Sequence, residues 1–206
     1  MSISKRLKTI IELVTVGDTI ADIGTDHGYV PISLLRENKV RRAIAVDVSK
    51  GSLEKAYSNA IRAGICIEEN DFTCQCEKTL AEEMKERLSA IKSGQIRKSD
   101  GIIAFRLSDG LSALRSGEAD CLILSGMGGI LMTEILSNHP DVTHAAKELI
   151  LSPHRDAELV RMYVKEQGFF IEYDEELLDK KKRYVILKAV QPSTSGANSS
   201  SGTYSS

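Results

Sequence analysis

Short apolar runs alternate with helix-like segments along most of the chain, and this alternation constrains the fold more than any other feature. Buried strands are predicted at 19–24, 43–48, 101–107, 119–126 and 147–152. Helices are predicted at 4–15, 31–38, 52–64, 110–117, 128–140 and 156–168. The pattern gives five β-α units, which are typical of a parallel sheet with helices on both faces.

The last predicted elements break this alternation. Two strand patterns, at 169–179 and 183–190, flank a polar turn of three lysines and therefore predict a β-hairpin. A dinucleotide-binding domain keeps its later strands parallel, whereas a hairpin added antiparallel to parallel strands is typical of class I methyltransferases. We therefore expect an α/β, Rossmann-like class I methyltransferase sheet, mostly parallel with a C-terminal antiparallel β-hairpin.

The predicted domain spans residues 1–191. It contains one segment that breaks the β-α pattern and is followed by a tail. Residues 65–100 are polar, with a helical pattern at 77–94, and we interpret them as a helical insertion that packs on the domain. Covering the active site or docking a partner are the alternative roles for this insertion. Residues 192–206 are rich in Ser, Gly and Thr and have too few apolar side chains to offset the entropy of ordering, so we expect a disordered tail.

Composition excludes several classes of protein. The chain has 206 residues, of which 42% are hydrophobic, enough for one domain with a core. Its net charge of -2 and its lack of Trp argue against a strongly basic or base-stacking nucleic-acid binder. No apolar run approaches the ~18 residues of a membrane span, and the N-terminus is amphipathic rather than signal-like. We expect an intracellular, cytoplasmic protein, with an organelle as the alternative.

The segment ADIGTDHGYV (21–30) follows the first strand, at the position where open α/β sheets bind ligands. It resembles the G-x-G-x-x-G loop that holds a pyrophosphate, but Asp26 replaces the central glycine and Asp22 precedes the first. Two carboxylates suit a ligand with an ammonium and a sulfonium, such as S-adenosylmethionine. Gly24 and Gly28 would let the backbone approach this cofactor closely. A structural turn, with Asp26 capping the next helix, is the alternative.

Acidic residues also follow the second and third strands. Asp47 ends the second strand about 20 residues beyond the glycines, where an acid accepts hydrogen bonds from ribose hydroxyls. Asp109 follows the third strand and is predicted to accept from the adenine amino group. The backbone at Ser108 and Gly110 would line the adenine ring. The alternatives are a helix cap at Asp47 and a simple turn at Asp109.

The turn SGMGG (125–129) follows the fourth strand and is predicted to meet the methyl end of the cofactor. Gly126, Gly128 and Gly129 would open a path for a flat substrate. Met127 would pack on the adenine or on the target base, or would fill the core instead. The turn lacks the Asn/Asp-Pro-Pro-aromatic motif that holds an exocyclic amine, which argues against methylation at N6 of adenine.

Together these segments resemble the bacterial tRNA (adenine-N1)-methyltransferase family, which acts on a D-loop adenine. The resemblance spans residue 1 to about 190 with a break at 65–100. It rests on SKRL (4–7), ADIGTDHGYVP (21–31), SDGL (108–111), SGMGG (125–129) and LSPH (151–154). It implies S-adenosyl-L-methionine as cofactor and tRNA as substrate. The C-terminal helical domain of that family has no counterpart in this sequence.

Asp26 and His27 are the catalytic candidates. N1 of adenine carries a lone pair and needs no base, so the enzyme mainly supplies alignment. After transfer the ring is cationic, and a carboxylate such as that of Asp26 can stabilise it. Orienting the loop is the alternative role for His27.

A local basic face is the predicted means of holding tRNA, although ordinary solvation also explains such residues. The basic residues are Lys5, Arg6 and Lys8; Arg36, Lys39, Arg41 and Arg42; Arg97 and Lys98; and 180–183. No metal site, membrane contact or obligate protein partner is predicted. A small-molecule or protein methyltransferase and a non-catalytic binding module are the alternative functions.

Overall fold

The computed structural model describes residues 3–15, 17–68, 101–179 and 181–192. These residues form eight strands and six α-helices. In chain order they are α1 (Lys5–Leu13), β1 (Thr19–Ile23), α2 (Tyr29–Arg36), β2 (Arg42–Asp47), α3 (Lys50–Ala63), β3 (Cys66–Ile67), β4 (Ile102–Leu107), a short 3-10 turn (Leu111–Ala113), β5 (Cys121–Ser125), α4 (Gly129–Ser137), α5 (Pro140–Ala145), β6 (Glu148–Ser152), α6 (Ala157–Glu166), β7 (Phe170–Asp179) and β8 (Lys182–Val190).

All eight strands form one sheet in the order β3-β4-β2-β1-β5-β6-β8-β7. The pairs among β1 to β6 are parallel, whereas β8 is antiparallel to both β6 and β7. This confirms the predicted mostly parallel sheet with a C-terminal hairpin. The strand order reverses at β1, which lies between β2 and β5, and open α/β sheets bind ligands beside such a reversal.

Apolar side chains fill both faces of the sheet. One cluster contains Ile10 of α1, Leu34 of α2 and Leu53 of α3. The other contains Met132 of α4 and Val160 of α6. Helices therefore cover both faces, as the β-α alternation predicts. Among the described residues no helix is both long and apolar enough to cross a bilayer.

Three predicted elements differ in the structure. The helix expected at 110–117 is only a 3-10 turn, with glycines of positive φ at Gly110 and Gly117 on either side. The helix expected at 128–140 ends at Ser137, and a second helix starts at Pro140, whose missing N–H suits a helix start. The short strand β3 occupies the beginning of the predicted insertion, and two residues are too few to show a strand pattern.

Several predictions fall on residues that the structure does not describe. They concern the remainder of the insertion from residue 69 onward, including the helical pattern at 77–94 and the basic residues Arg97 and Lys98. The predicted disorder of the tail falls almost entirely on residues 193–206, which lie outside the described residues as well.

A buried ion pair joins the hairpin to the end of the sheet opposite the glycine loop. Lys188 of β8 and Glu148 of β6 are 5% and 0% exposed, with 3.3 Å between Nζ and Oε2. Lys188 also pairs with Glu172 at 2.7 Å. The backbone N–H and hydroxyl of Thr15 donate to the Glu148 carboxylate at 3.0 and 3.1 Å. The network ties the α1–β1 connection to β6 and β8.

Candidate active site

The loops that follow β1, β2 and β4 converge at the carboxyl ends of the parallel strands. The backbone N–H groups of Gly24 and Thr25 donate to the carbonyl of Val46, at 2.8 and 2.9 Å. The N–H of Ser108 donates to the carbonyl of Asp47 at 3.0 Å. The structure thus brings the three predicted cofactor loops together at one edge of the sheet.

Tight packing holds the glycine loop in place. Gly24 and Gly28 have φ values of 78° and 68°, which a side chain would strain. A Cβ on Gly24 would lie 2.9 Å from the terminal methyl of Met127, and one on Gly28 would lie 3.0 Å from Cβ of Ala56. The loop is therefore fixed between the turn after β5 and helix α3.

Asp22 is the most deeply placed acid of this edge. It is 5% exposed, and the hydroxyl of Thr25 donates to its carboxylate at 2.6 Å. Burial raises the pKa of Asp22 to about 6, and the charge of Asp47 raises it too, although Thr25 and the positive charge of Arg6 act in the other direction. The protein therefore holds a carboxylate whose charge is costly without a cationic ligand.

Asp47 and Asp26 add to the negative charge around Asp22. Burial raises the pKa of Asp47, the N–H of Ser49 donates to its carboxylate at 2.7 Å and lowers the pKa, and the charge of Asp26 raises it. The side chain of Asp26 is 76% exposed. Three carboxylates that act on one another favour a cation and disfavour a pyrophosphate.

Asp26 and His27 form a pair at the outer side of the loop. A carboxylate oxygen of Asp26 is hydrogen-bonded to Nδ1 of His27, and Asn59 donates to the His27 carbonyl at 3.0 Å. The His27 ring lies parallel to that of Tyr29. The N-cap of α2 is Gly28, with no side-chain cap bond, so the alternative that Asp26 caps this helix is wrong.

The loop after β4 is ordered by its own hydroxyl groups. Ser112 donates to Asp109 at 3.0 Å, and its hydroxyl lies 2.8 Å from that of Ser108. A Cβ on Gly110 would lie 3.1 Å from a methyl of Ile135, so this backbone packs directly on α4. Asp109 itself is exposed.

Two apolar residues at this edge are not predicted from the sequence. Val48 follows β2 and is 73% exposed, and Leu107 ends β4 and is 55% exposed. Apolar side chains at the mouth of a site can cover the faces of a flat base. Their position directly beside Asp47 and Ser108 is the signal that could have identified them.

The turn after β5 is open on one side and covered on the other. Gly126 has a φ of 85°, and among the described residues other than its chain neighbours no atom lies within 4 Å of where its Cβ would be. By contrast, a Cβ on Gly128 would lie 3.3 Å from Nε of Arg155. Met127 packs against the core as well as Gly24, and its carbonyl accepts from the N–H of His154 at 2.9 Å. The loop after β6 therefore contributes His154 and Arg155, to which sequence analysis assigned no role.

Arg6 is a further residue that the sequence did not identify as part of the site. Its guanidinium lies 4.9 Å from the centre of the Tyr184 ring. Its Nη1 is buried and has no hydrogen-bond partner among the described residues. The pKa of His154 is lowered by burial, and by the positive charges of Arg6 and Lys182. Helix α1 thus places an incompletely bonded cation near the buried acid Asp22.

The basic segments separate to opposite edges of the sheet. Arg42 begins β2 and pairs with Glu68 at 2.9 Å, and Lys39 donates to the carbonyl of Ile11 at 2.8 Å. The segment from Arg36 to Arg42 therefore lies at the amino ends of the strands, away from the site, and is not part of a basic face around it. Exposed residues at the hairpin tip, such as Lys182, lie on the site edge because β8 continues past the end of β6.

Comparison with known proteins identifies the family. A family model described as a methyltransferase domain matches residues 3–81 and 72–187. The chain belongs to this methyltransferase family. The matched residues include the glycine loop and most of the hairpin.

Among characterised relatives, the methyltransferase domain is 27% identical over 190 residues to the tRNA (adenine(22)-N(1))-methyltransferase of Bacillus subtilis (strain 168). A Streptococcus pneumoniae protein assigned as a tRNA (m1A22) methyltransferase, in complex with S-adenosyl-L-methionine, has a TM-score of 0.69 and 26% identity, covering 95% of this chain and 77% of that chain. The B. subtilis m1A22 tRNA methyltransferase structure has a TM-score of 0.68 and 27% identity, covering 93% and 68%.

The alignment with the curated B. subtilis relative covers 92% of this chain and 65% of the relative. The chain thus spans somewhat less than two thirds of that relative's length.

Proposed function

We propose that this methyltransferase domain transfers the methyl group of S-adenosylmethionine to N1 of an adenine in tRNA. The observation that carries the proposal is the acidic edge of the sheet, where Asp22 and Asp26 of the glycine loop and Asp47 at the end of β2 favour a cation without phosphate. The similarity to tRNA (adenine(22)-N(1))-methyltransferase supports the nucleic-acid acceptor. We infer a cytoplasmic location, with an organelle, which also contains tRNA, as the alternative.

The methionine part of the cofactor would bind at the glycine loop. Asp22 and Asp26 would face its ammonium and sulfonium groups, and the backbone at Gly24 and Gly28 would pack against it. Nη1 of Arg6, which has no partner among the described residues, would donate its N–H groups to the carboxylate of the methionine part. The cationic groups of the ligand would then lie near the acidic residues, and its carboxylate would lie near Arg6.

The adenosine part would bind at the ends of β2 and β4. Asp47 would accept from the ribose hydroxyls, and Asp109 from the adenine amino group, with the backbone at Ser108 and Gly110 along the ring. The exposed apolar side chain of Val48 would cover one face of the base. The same role for Leu107 follows from its position on the neighbouring strand.

The acceptor adenine would approach over the turn after β5. Gly126, Met127 and Gly128 would meet the methyl group, and the open side of Gly126 leaves space for a flat ring. The lone pair of N1 would form the new N–C bond as the C–S bond of the bound methyl donor breaks, and the electron pair of the C–S bond would stay on sulfur. Asp26 would stabilise the cationic product ring, and His27, hydrogen-bonded to Asp26, would hold that carboxylate in position.

Incubation with tritiated S-adenosylmethionine and total tRNA tests this function. We expect label in the tRNA, and N1-methyladenosine as the labelled nucleoside after digestion, because N1 attacks without a base. Denatured protein serves as the control. Label at another nucleoside would overturn the target atom, and label confined to small molecules or protein would overturn the RNA substrate.

Replacing Asp26 with Asn tests the proposed catalytic role. We expect the rate of methyl transfer at saturating cofactor and tRNA to fall by about 10- to 100-fold, since a neutral amide stabilises a cationic ring less well. Cofactor affinity is measured separately by calorimetry. Transfer at the wild-type rate would show that Asp26 has no role in catalysis, even if the affinity for the cofactor changes.

A further inference from the structure

A cavity adjoins the glycine loop on the side of α3. It has a volume of about 440 Å³ and is lined by His27 of the glycine loop, by Tyr29 at the start of α2, and by Glu54, Lys55, Asn59 and Arg62 of α3. It shares only His27 with the residues assigned to catalysis or cofactor binding. It is large enough for a nucleobase, since ligand pockets begin at roughly 300 Å³.

His27 and Tyr29 form an aromatic wall of the cavity. The rings of His27 and Tyr29 are parallel to within 1°, with 5.5 Å between their centres. Both residues are partly exposed. Because the two rings are parallel, they offer a flat ligand an aromatic surface on which to stack. Bases of single-stranded RNA stack on aromatic side chains regardless of sequence.

The wall formed by α3 has both an acceptor and cations. Oε1 of Glu54 is buried and has no hydrogen-bond partner among the described residues. Lys55 and Arg62 are exposed on the same helix. Because Glu54 lines the cavity, its carboxylate would accept a hydrogen bond from an amino group of a ligand. The two cations suit the phosphate of the same ligand and disfavour the doubly cationic end of the methyl donor.

We propose that this cavity binds a nucleotide of the acceptor RNA that lies next to the methylated adenine, with its base on the His27–Tyr29 rings, its amino group on Glu54 and its phosphate on Lys55 and Arg62. The inference rests on the proposed function, because it takes the glycine loop as the site of methyl transfer. The bound nucleotide would fix the acceptor strand beside the target base. The sharing of His27 links occupancy of the cavity to the position of Asp26.

Variants of the intact chain test this site through the kinetics of tRNA methylation. For Tyr29→Ala we expect KM for tRNA to rise at least about tenfold, while Tyr29→Phe, which keeps the ring, stays within about twofold. For Lys55→Gln we expect the slope of log KM against log salt to fall by about one, as for the loss of one phosphate contact. The dissociation constant of S-adenosylhomocysteine should stay within about twofold for all of these variants.

Lys165→Gln is the matched control for Lys55, because Lys165 is exposed on α6, which packs on the other face of the sheet. It should leave both KM and the salt slope unchanged. If wild-type protein methylates tRNA and the Tyr29 and Lys55 variants keep its KM, the cavity proposal alone is overturned. If wild-type protein labels no RNA, the proposed function itself fails. Binding of adenosine or guanosine monophosphate that persists in the presence of saturating tRNA and S-adenosylhomocysteine would show a site for free nucleotides outside the cofactor site and overturn the RNA assignment.

Discussion

Replacing Asp22 with Asn is expected to weaken cofactor binding strongly and, at the same time, to make the protein more stable at neutral pH. The amide can still accept the hydrogen bond from Thr25 but has no charge to offer an ammonium or sulfonium. Truncating or neutralising a buried partner of a charged group costs roughly 2–5 kcal/mol, so affinity should fall at least about 30-fold. Calorimetric titration with S-adenosylmethionine measures this loss.

The gain in stability follows from the raised pKa of Asp22. Since this pKa is about 6 in the folded protein and 3.8 in its unperturbed form, the folded state binds more protons than the unfolded state between these values. Stability contributed by Asp22 is therefore lost as pH rises through this window. An Asn lacks this loss, so the gain should approach about 3 kcal/mol near pH 8 and fall to about 0.5 kcal/mol near pH 4. Denaturant unfolding at both pH values checks the prediction.

Asp18→Asn is the matched control for Asp22, because Asp18 is an exposed aspartate at the opposite edge of the sheet. It should leave cofactor affinity unchanged. Equal stability of Asp22→Asn and wild type at high pH would contradict the burial argument. Normal cofactor affinity of that variant would contradict the assignment of the site. In the wild-type protein, affinity should also decline as pH falls below about 6, where Asp22 becomes protonated.

The second large effect is expected at Lys188. Replacing it with Met leaves the carboxylate of Glu148 fully buried without its cation, although Thr15 still donates to it. Breaking a buried pair from one side costs about 3–5 kcal/mol. For a chain of this size we expect the melting temperature to fall by roughly 10 °C, measured by calorimetry or circular dichroism. Cofactor binding at the opposite edge should survive at temperatures where the variant is folded.

A second substitution separates the pair from simple loss of packing. Adding Glu148→Gln to Lys188→Met removes the buried charge, so more than half of the lost stability should return. Lys182→Met, an exposed lysine of the same strand, should stay within about 0.5 kcal/mol of wild type. Failure of the double variant to recover, with the single variant destabilised, would show that the lysine stem rather than its charge holds the hairpin.

Much of the fold was predictable because its signals are local. Apolar runs and helical periodicity located the five principal parallel strands and the hairpin within a few residues. The failures have local causes too: β3 has two residues, and Pro140 starts a new helix within a continuous apolar pattern. The position of the predicted cofactor loops at one edge follows from parallel pairing alone, because every such strand ends there.

The sequence alone determined the sheet type, the acidic character of the glycine loop and the segments that surround the proposed cofactor. Only the tertiary structure decided how deeply Asp22 is buried, and hence its pKa of about 6. Only the tertiary structure shows that Arg6 and Val48 lie at the site and that the Arg36–Arg42 segment lies at the opposite edge of the sheet. The cavity beside α3 is likewise visible only there. The reason is physical: periodicity acts over a few residues, whereas burial, charge pairing and cavities depend on packing between elements that are distant along the chain.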